Sequence, residues 1–148
     1  MRRIQLTSAD RERIIEEACK LLGTPYCLRG DGRSTFNCSQ FVTTVIKNAL
    51  GIDLPAKVDW LYLVSTIKQL DDLRIGDLVF FRWQRRPKGK IVRHVAIFLG
   101  NGQIIHAPQR TSKVVIEPIE DHPFTVITHK DPVLLHQWID EIISLTGP

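Results

Sequence analysis

Long hydrophobic runs are absent from this chain of 148 residues. A membrane-spanning helix needs roughly 18 or more consecutive apolar residues, and no stretch approaches that length, so the sequence predicts no membrane span. Met1, Arg2 and Arg3 lead into polar sequence instead of an apolar leader, which argues against a cleaved secretory signal. We therefore expect a protein that is made in the cytoplasm.

Cysteine is scarce, and the three residues Cys19, Cys27 and Cys38 are an odd number. Their spacing fits neither a disulfide framework nor the paired spacing of a structural zinc site, so we expect free thiols and no metal. Cys19 shares a predicted helical stripe with Ile14 and Ala18, which predicts that it is buried as a small hydrophobic residue. The sequence assigns no role to Cys27.

Acidic residues are missing between Asp77 and Glu117, a stretch with eight basic residues in a chain whose net charge is +4. This stretch predicts a positive surface, which is either a solvated basic loop or a steering surface for an anionic partner. Nucleic acid is a poor candidate, because Trp83 is the only aromatic residue among the charges from Arg82 to Arg93 and no binding motif accompanies them. The role of that basic stretch stays open.

The remaining composition, 43% hydrophobic and 24% charged residues, is typical of one globular domain, which we place at residues 1–148. A capping box from Thr7 to Asp10 starts the first predicted helix, and Gly23 ends it. The second predicted helix runs from about Cys38 to Leu50 and ends at Gly51.

The second half of the chain changes to short β-rich runs bounded by glycine, proline and charge. A short third helix, from Trp60 to Ile67, is predicted before these runs, and a closing helix begins after them with Asp131 as its cap and Pro132 at its first position. Helices followed by a contiguous set of strands predict an α+β fold with N-terminal helices packed on an antiparallel sheet. The five expected strands are Leu78–Trp83, Val92–Leu99, Gln103–Ala107, Lys113–Ile119 and Phe124–His129.

Cys38 follows a run of small polar residues at the point where the apolar stripe of the second helix begins. A thiol at a helix N-terminus lies near backbone N–H groups without partners and near the positive end of the helix dipole, so we expect the thiolate to be favoured over the thiol. Because a thiolate is a nucleophile, Cys38 is the candidate nucleophile.

Two histidines, His94 and His106, lie on either side of a predicted hairpin turn. A two-residue loop, Asn101-Gly102, would send them to opposite faces of the sheet, whereas a three-residue loop from Gly100 would pair Ala96 with His106 and place both on one face. We predict the three-residue loop, which puts the histidines at diagonal positions roughly 7–8 Å apart at Cα.

A catalytic arrangement follows if the Cys38 helix covers the histidine face. The thiol then meets His94 as its base, and His106 orients His94. A single histidine on a strand is usually structural, but two on one face with a helix-terminal cysteine within reach favour catalysis.

Five segments of the chain carry a family pattern: Gly23-Thr24-Pro25-Tyr26, Asn37-Cys38-Ser39-Gln40-Phe41-Val42, Leu73-Arg74-Ile75-Gly76-Asp77-Leu78-Val79-Phe80-Phe81, His94-Val95-Ala96-Ile97-Phe98-Leu99-Gly100 and Ile105-His106-Ala107. In these segments the chain resembles the NlpC/P60 family of papain-like cysteine peptidases, which hydrolyse bacterial cell-wall peptides. The resemblance covers nearly the whole chain and implies the papain-like fold, with helices packed on a sheet of about five strands and a C-terminal helix. The cysteine precedes the histidines, unlike in the circularly permuted acyltransferase families.

The resemblance implies a Cys-His-His triad, with Cys38 as nucleophile, His94 as general base and His106 as the residue that orients His94. Tyr26 matches the family tyrosine beside the oxyanion site, although a ring that only packs at the mouth of the Cys38 helix explains it equally well. Asp77 also matches the family pattern, but its position at a turn into a strand favours a turn-stabilising role.

Asn37 and Gln40 stand where the family usually has aspartate and glycine, and this departure leaves the substrate open. Ser39, which matches the pattern, and Gln40 are candidate oxyanion or substrate-binding residues. Arg33, close before Cys38, either binds a substrate carboxylate or is merely solvated.

The reaction implied is hydrolysis of an amide bond in a peptidoglycan stem peptide through a thioester acyl-enzyme, without a metal or an organic cofactor. An alternative with the same triad is transamidation or deamidation of a protein substrate, and a third is a non-catalytic wall-binding module. The implied partner is peptidoglycan or a muropeptide, with an inhibitor or immunity protein as a further candidate. Without a leader, the protein would reach the cell wall by another route.

Overall fold

The computed structural model describes residues 6–63, 66–68, 72–82, 92–119 and 126–131, and these residues form an α+β architecture. Their six strands form one antiparallel sheet in the order β1-β6-β2-β3-β4-β5, and a short 3₁₀ turn links β4 to β5. None of the described helices is long and apolar enough to cross a membrane. The elements are α1 Ser8–Lys20, α2 Cys38–Leu50, α3 Val58–Leu63, β1 Thr66–Lys68, β2 Leu78–Arg82, β3 Val92–Gly100, β4 Gln103–His106, β5 Val115–Pro118 and β6 Val126–Asp131.

The two long helices begin where the sequence predicts. Thr7 caps α1: its hydroxyl accepts the N–H of Asp10, whose carboxylate accepts the N–H of Thr7. α1 ends at Lys20, slightly before the predicted stop at Gly23. α2 ends as predicted at Gly51, which takes the left-handed conformation with φ 72°.

The predicted strands are present with shifted ends, and β1 is a sixth strand that the sequence reading missed. The predicted helix from Trp60 to Ile67 is wrong in its second half, because α3 ends at Leu63 and Thr66–Lys68 pairs with β6. The partners of β1 lie far along the chain, so no local pattern reveals this pairing. The predicted closing helix lies outside the described residues, as does most of the basic stretch between Arg82 and Arg93.

The sheet carries a different apolar cluster on each face. The helices pack on one face, and the other face carries the smaller cluster. The sheet residues in the helix-covered cluster include Leu78, Phe80, Val95, Ile97 and Ile105. The smaller cluster contains Val79, Phe81, Ala96, Ile104 and Ile119.

Cys19 is exposed, which contradicts the prediction that it is a buried hydrophobic residue. The buried stripe of α1 consists of Arg11, Ile14 and Ala18. Cys19 lies one residue past this stripe, and that step turns its side chain by roughly 100° towards solvent.

A buried ion pair fastens α1 to the turn before β2. The Arg11 guanidinium donates to Asp77 Oδ1 at 2.6 Å and to the carbonyl of Ile75 at 3.1 Å. The second oxygen of Asp77 accepts the N–H of Arg74 at 2.9 Å, which is the turn-stabilising role favoured from the sequence. Both members of the pair are buried, and Asp77 compensates the charge of Arg11.

We predict that Asp77→Ala lowers the free energy of unfolding by about 3–5 kcal/mol, because it leaves the Arg11 charge buried without a partner. Urea unfolding monitored by circular dichroism measures this loss. The matched control is Asp53→Ala, which removes the exposed partner of Lys47 and should cost less than about 1 kcal/mol. Equal losses for the two variants would contradict the structural role of the buried pair.

Candidate active site

A second capping box fixes Cys38 as the first residue of α2. The Asn37 side chain accepts the N–H of Gln40 at 2.9 Å, and the Gln40 side-chain oxygen accepts the N–H of Asn37 at 3.1 Å. The Ser39 hydroxyl donates to the carbonyl of Ala56 at 2.9 Å. Cys38 therefore stands at a rigid helix start whose neighbouring side chains are held by local hydrogen bonds.

Gln40 also ties α2 to the loop that precedes it. Its amide nitrogen donates to the carbonyl of Gly30 at 2.7 Å. A Cβ at Gly30 would lie 2.7 Å from the backbone oxygen of Thr35 and 2.5 Å from the Gln40 side-chain oxygen, so only glycine allows this close approach. The oxygen of the Gln40 amide thus completes the cap, and its nitrogen binds the loop. These two hydrogen bonds are a structural reason for glutamine where the family usually has glycine.

The loop between Gly30 and Asn37 is folded around the carboxylate of Asp31. Asp31 accepts the hydroxyl of Ser34 and the backbone N–H groups of Arg33, Ser34 and Thr35. These hydrogen bonds, first that from the Ser34 hydroxyl, hold the pKa of Asp31 well below its usual range. Arg33, a candidate for substrate binding, lies in this loop and is exposed.

Burial raises the pKa of the Cys38 thiol to about 11, so the expectation of a resting thiolate is wrong. The backbone N–H groups of Val95, Ser39 and Cys38 itself stabilise the anion, but they do not offset its loss of hydration. Their presence also locates the sulfur beside the N–H of Val95, the residue that follows His94. Tyr26 packs against the same cluster as Cys38, and burial, followed by the nearby thiols of Cys38 and Cys27, raises its pKa.

The turn between β3 and β4 is the two-residue loop Asn101-Gly102, so the predicted three-residue loop is wrong. Gly100 pairs with Gln103, and both loop residues have positive φ, 52° and 69°, as a primed turn requires.

A β-bulge nevertheless restores the predicted pairing beyond the turn. The register shifts at Leu99, so that Phe98 pairs with Ile104 and Ile97 with Ile105. Continued by one residue, this register sets Ala96 opposite His106. The two histidines therefore lie on one face of the sheet, as predicted from the sequence.

That face is not the one covered by α2, which corrects the expected packing. Val95 and Ile97 share the helix cluster, whereas Ala96 belongs to the cluster on the other face. Since neighbouring residues of a strand alternate between faces, His94 lies on the side of Ala96. The sulfur of Cys38 thus lies beside the beginning of β3 and not above the histidine face.

A line of hydrogen-bonded side chains crosses β3, β4 and β5 on the histidine face. His94 Nε2 is 2.7 Å from His106 Nδ1, and His106 Nε2 is 2.6 Å from Glu117 Oε2. The Arg110 guanidinium donates to the same Glu117 oxygen. Phe81 lies against the His94 ring, with the ring centroids 5.8 Å apart.

The electrostatics of this line keep the buried imidazole neutral and its outer partner charged. Burial lowers the pKa of His106 to about 4, although Glu117 acts in the opposite direction. Burial also acts to raise the pKa of Glu117, but hydrogen bonds from Arg110 and His106 outweigh it and hold that pKa below its usual value. At neutral pH, a neutral His106 therefore contacts an ionised Glu117.

Glu117 and Arg110 were missed as site residues in the sequence. Glu117 pairs with Ile104, and Val115 pairs with His106, so Glu117 lies diagonally across from His106 on the same face. The connection from β4 to β5 is not a tight hairpin, so the sequence does not fix this register. Among the described residues, no histidine, cysteine, aspartate and glutamate side chains are grouped so that they could hold a metal ion.

The chain is similar in sequence to proteins named as a probable endopeptidase and as a murein endopeptidase. The chain is 40% identical over 94 residues to the probable endopeptidase p60 of Listeria seeligeri, covering 64% of this chain and 17% of that protein. It is 31% identical over 111 residues to the murein DD-endopeptidase MepS/murein LD-carboxypeptidase of Escherichia coli K12, covering 75% and 56% of the two chains. The chain thus spans only part of the length of each relative.

Two solved structures with the same fold are named as an NlpC protein and an NlpC/p60 domain. NlpC1 from Trichomonas vaginalis superposes with a TM-score of 0.75 at 27% identity, covering 87% of this chain and 46% of that one. The NlpC/p60 domain of the peptidoglycan hydrolase SagA superposes with a TM-score of 0.69 at 30% identity, covering 80% and 97%. A sequence profile of the NlpC/P60 family matches residues 23–131. This protein therefore belongs to the NlpC/P60 family.

Proposed function

We propose that this protein is a cysteine peptidase that hydrolyses amide bonds in peptidoglycan stem peptides. In this proposal Cys38 is the nucleophile, His94 the general base and His106 the residue that orients His94. The observation that carries it is the 2.7 Å hydrogen bond between the two imidazoles, together with the place of His94 directly before Val95, whose N–H lies beside the Cys38 sulfur. The names of the relatives, a murein endopeptidase and a peptidoglycan hydrolase, supply the substrate class.

The chemistry starts from a thiol, because the pKa of Cys38 lies near 11. His94 takes the thiol proton as the sulfur attacks the amide carbonyl carbon, and a C–S bond forms. The oxyanion is stabilised by backbone N–H groups in the first turn of α2, which have no helical carbonyl to bind. The C–N bond then breaks, and the leaving amine takes the proton from His94.

The second half of the reaction hydrolyses the thioester. His94 removes a proton from water, the resulting hydroxide attacks the acyl carbon, and the C–S bond breaks. The product is a carboxylic acid, and the sulfur regains its proton from His94. Arg33, in the loop that precedes Cys38, is exposed, and its charge suits a free carboxylate of a stem peptide.

We predict that the protein cleaves purified muropeptides and that Cys38→Ala lowers the rate by at least about 10³-fold, since no other group supplies the nucleophile. Chromatography with mass spectrometry of the digest measures the cleavage. Cys19→Ser, a change at an exposed thiol on α1, is the matched control and should keep the full rate.

Two results would separate this proposal from its alternatives. Conversion of amide to acid in a glutamine-rich protein, with every muropeptide intact, would favour the deamidase. Binding to peptidoglycan without any cleavage would favour a non-catalytic module. Either result contradicts the proposed hydrolysis.

We also predict that alkylation of Cys38 by iodoacetamide accelerates with pH by on the order of tenfold per unit between pH 7 and 9, because the reactive anion increases in that proportion well below its pKa. The raised pKa leaves the thiol protonated at neutral pH, and the anion appears only as the pH rises towards 11. Mass spectrometry of the peptide that contains Cys38 distinguishes it from Cys19 and Cys27. A plateau from about pH 6 upward would instead indicate a preformed thiolate–imidazolium pair and would contradict general-base activation.

A further inference from the structure

The hydrogen-bonded line of the site extends beyond the histidines to two residues with no role in the reaction as proposed so far. His106 is fully buried at the end of β4, and the carboxylate of Glu117, from the neighbouring strand, lies 2.6 Å from its Nε2. The side chain of Glu117 is 19% exposed and that of Arg110 is 46% exposed, so the line runs from the interior to the surface. In each contact of this line, the protonation state of the two groups decides which one donates the hydrogen bond and which one accepts it.

The ionised carboxylate of Glu117, at the outer end of the line, determines where the ring protons of His106 and His94 lie. An ionised carboxylate only accepts hydrogen bonds, so His106 Nε2 must carry the proton that is shared with Glu117. Because His106 is neutral, its Nδ1 has no proton and accepts a hydrogen bond. The donor in that bond is His94 Nε2–H, which lies 2.7 Å away.

The hydrogen bond with His106 also determines which ring nitrogen of His94 is basic. A neutral imidazole has one N–H, and in His94 the contact with His106 places it on Nε2. The lone pair of His94 therefore lies on Nδ1, the ring nitrogen closer to the backbone. Reversing the tautomer of His106 would put the proton of His94 on Nδ1 and remove its capacity to act as a base.

We propose that Glu117, held in place by Arg110, is a positioning residue that sets the tautomers of both histidines and so makes Nδ1 of His94 the base for Cys38. This inference rests on the proposed function for its catalytic consequence, but the tautomers themselves are properties of the protein without substrate. Glu117 touches neither Cys38 nor the reacting atoms in this scheme; it acts through His106.

The test uses the full chain with ¹⁵N-labelled histidine and the variant Glu117→Gln. A neutral amide can accept a hydrogen bond through its oxygen or donate one through its nitrogen, whereas the carboxylate only accepts, so the tautomer of His106 is no longer fixed. Two-dimensional ¹⁵N–¹H NMR correlation spectra should show Nε2–H for both histidines in the wild type and a mixture of tautomers in the variant. The kcat for muropeptide cleavage should fall about 10–100-fold, with KM changed by less than about twofold.

Glu17→Gln is the matched control, because it makes the same chemical change in a carboxylate that pairs with Lys20 on the surface of α1. It should leave kcat and the histidine signals unchanged. A wild-type spectrum with Nδ1–H on His106 would overturn the inference even if the variant failed to fold. An unchanged kcat in Glu117→Gln would overturn the positioning role.

The outcomes also distinguish this inference from the proposed function. If no muropeptide is cleaved but the spectra show the predicted tautomers and their loss in Glu117→Gln, the proposed substrate fails and the tautomer assignment stands. If muropeptides are cleaved and Glu117→Gln changes neither spectra nor rate, the proposed function stands and the role of Glu117 fails.

Discussion

The site depends on the hydrogen bond between His94 and His106, and that bond depends on the register of β3 against β4. A slip of one residue would send His106 to the opposite face of the sheet. The bulge at Leu99 prevents this outcome, because the tight Asn101-Gly102 loop alone would produce the wrong pairing. One extra residue in a strand thus decides whether the two imidazoles meet.

The sequence predicted the parts of this arrangement that depend on local chemistry, and the non-local parts escaped it. The start of α2 at Cys38 and its end at Gly51 are local signals, and both are present. The pairing of the histidines was predicted correctly, although the loop length on which the prediction rested was wrong. The face covered by α2 and the contact of Glu117 with His106 depend on packing and on strand order, which the sequence alone does not fix.

Burial and helix position act in opposite directions on the Cys38 thiol, and burial is the larger effect. The N–H groups at the helix start are visible in the sequence, but the loss of water around the sulfur, which opposes them, depends on the packing and is not. The helix start still contributes to the proposed reaction, because its N–H groups can stabilise the negative charge that develops on the oxyanion. In the proposed reaction, a thiol that stays protonated at rest needs a base whose lone pair points in one direction, and the hydrogen bond to His106 would hold the His94 ring in that way.

The placement of charge along the line explains how the sheet holds several polar groups on a mostly apolar face. Within this line, the fully buried group is the neutral imidazole of His106. A neutral ring with both nitrogens hydrogen-bonded costs far less to bury than an ion. The carboxylate lies at the half-exposed end of the line, where Arg110 and solvent compensate its charge. If Glu117 were instead fully buried, its own pKa would rise, and a protonated carboxyl group could donate to His106 as readily as accept from it. The partial exposure of Glu117 therefore keeps it ionised. In the proposed arrangement, an ionised Glu117 fixes the donor and the acceptor in each hydrogen bond of the line.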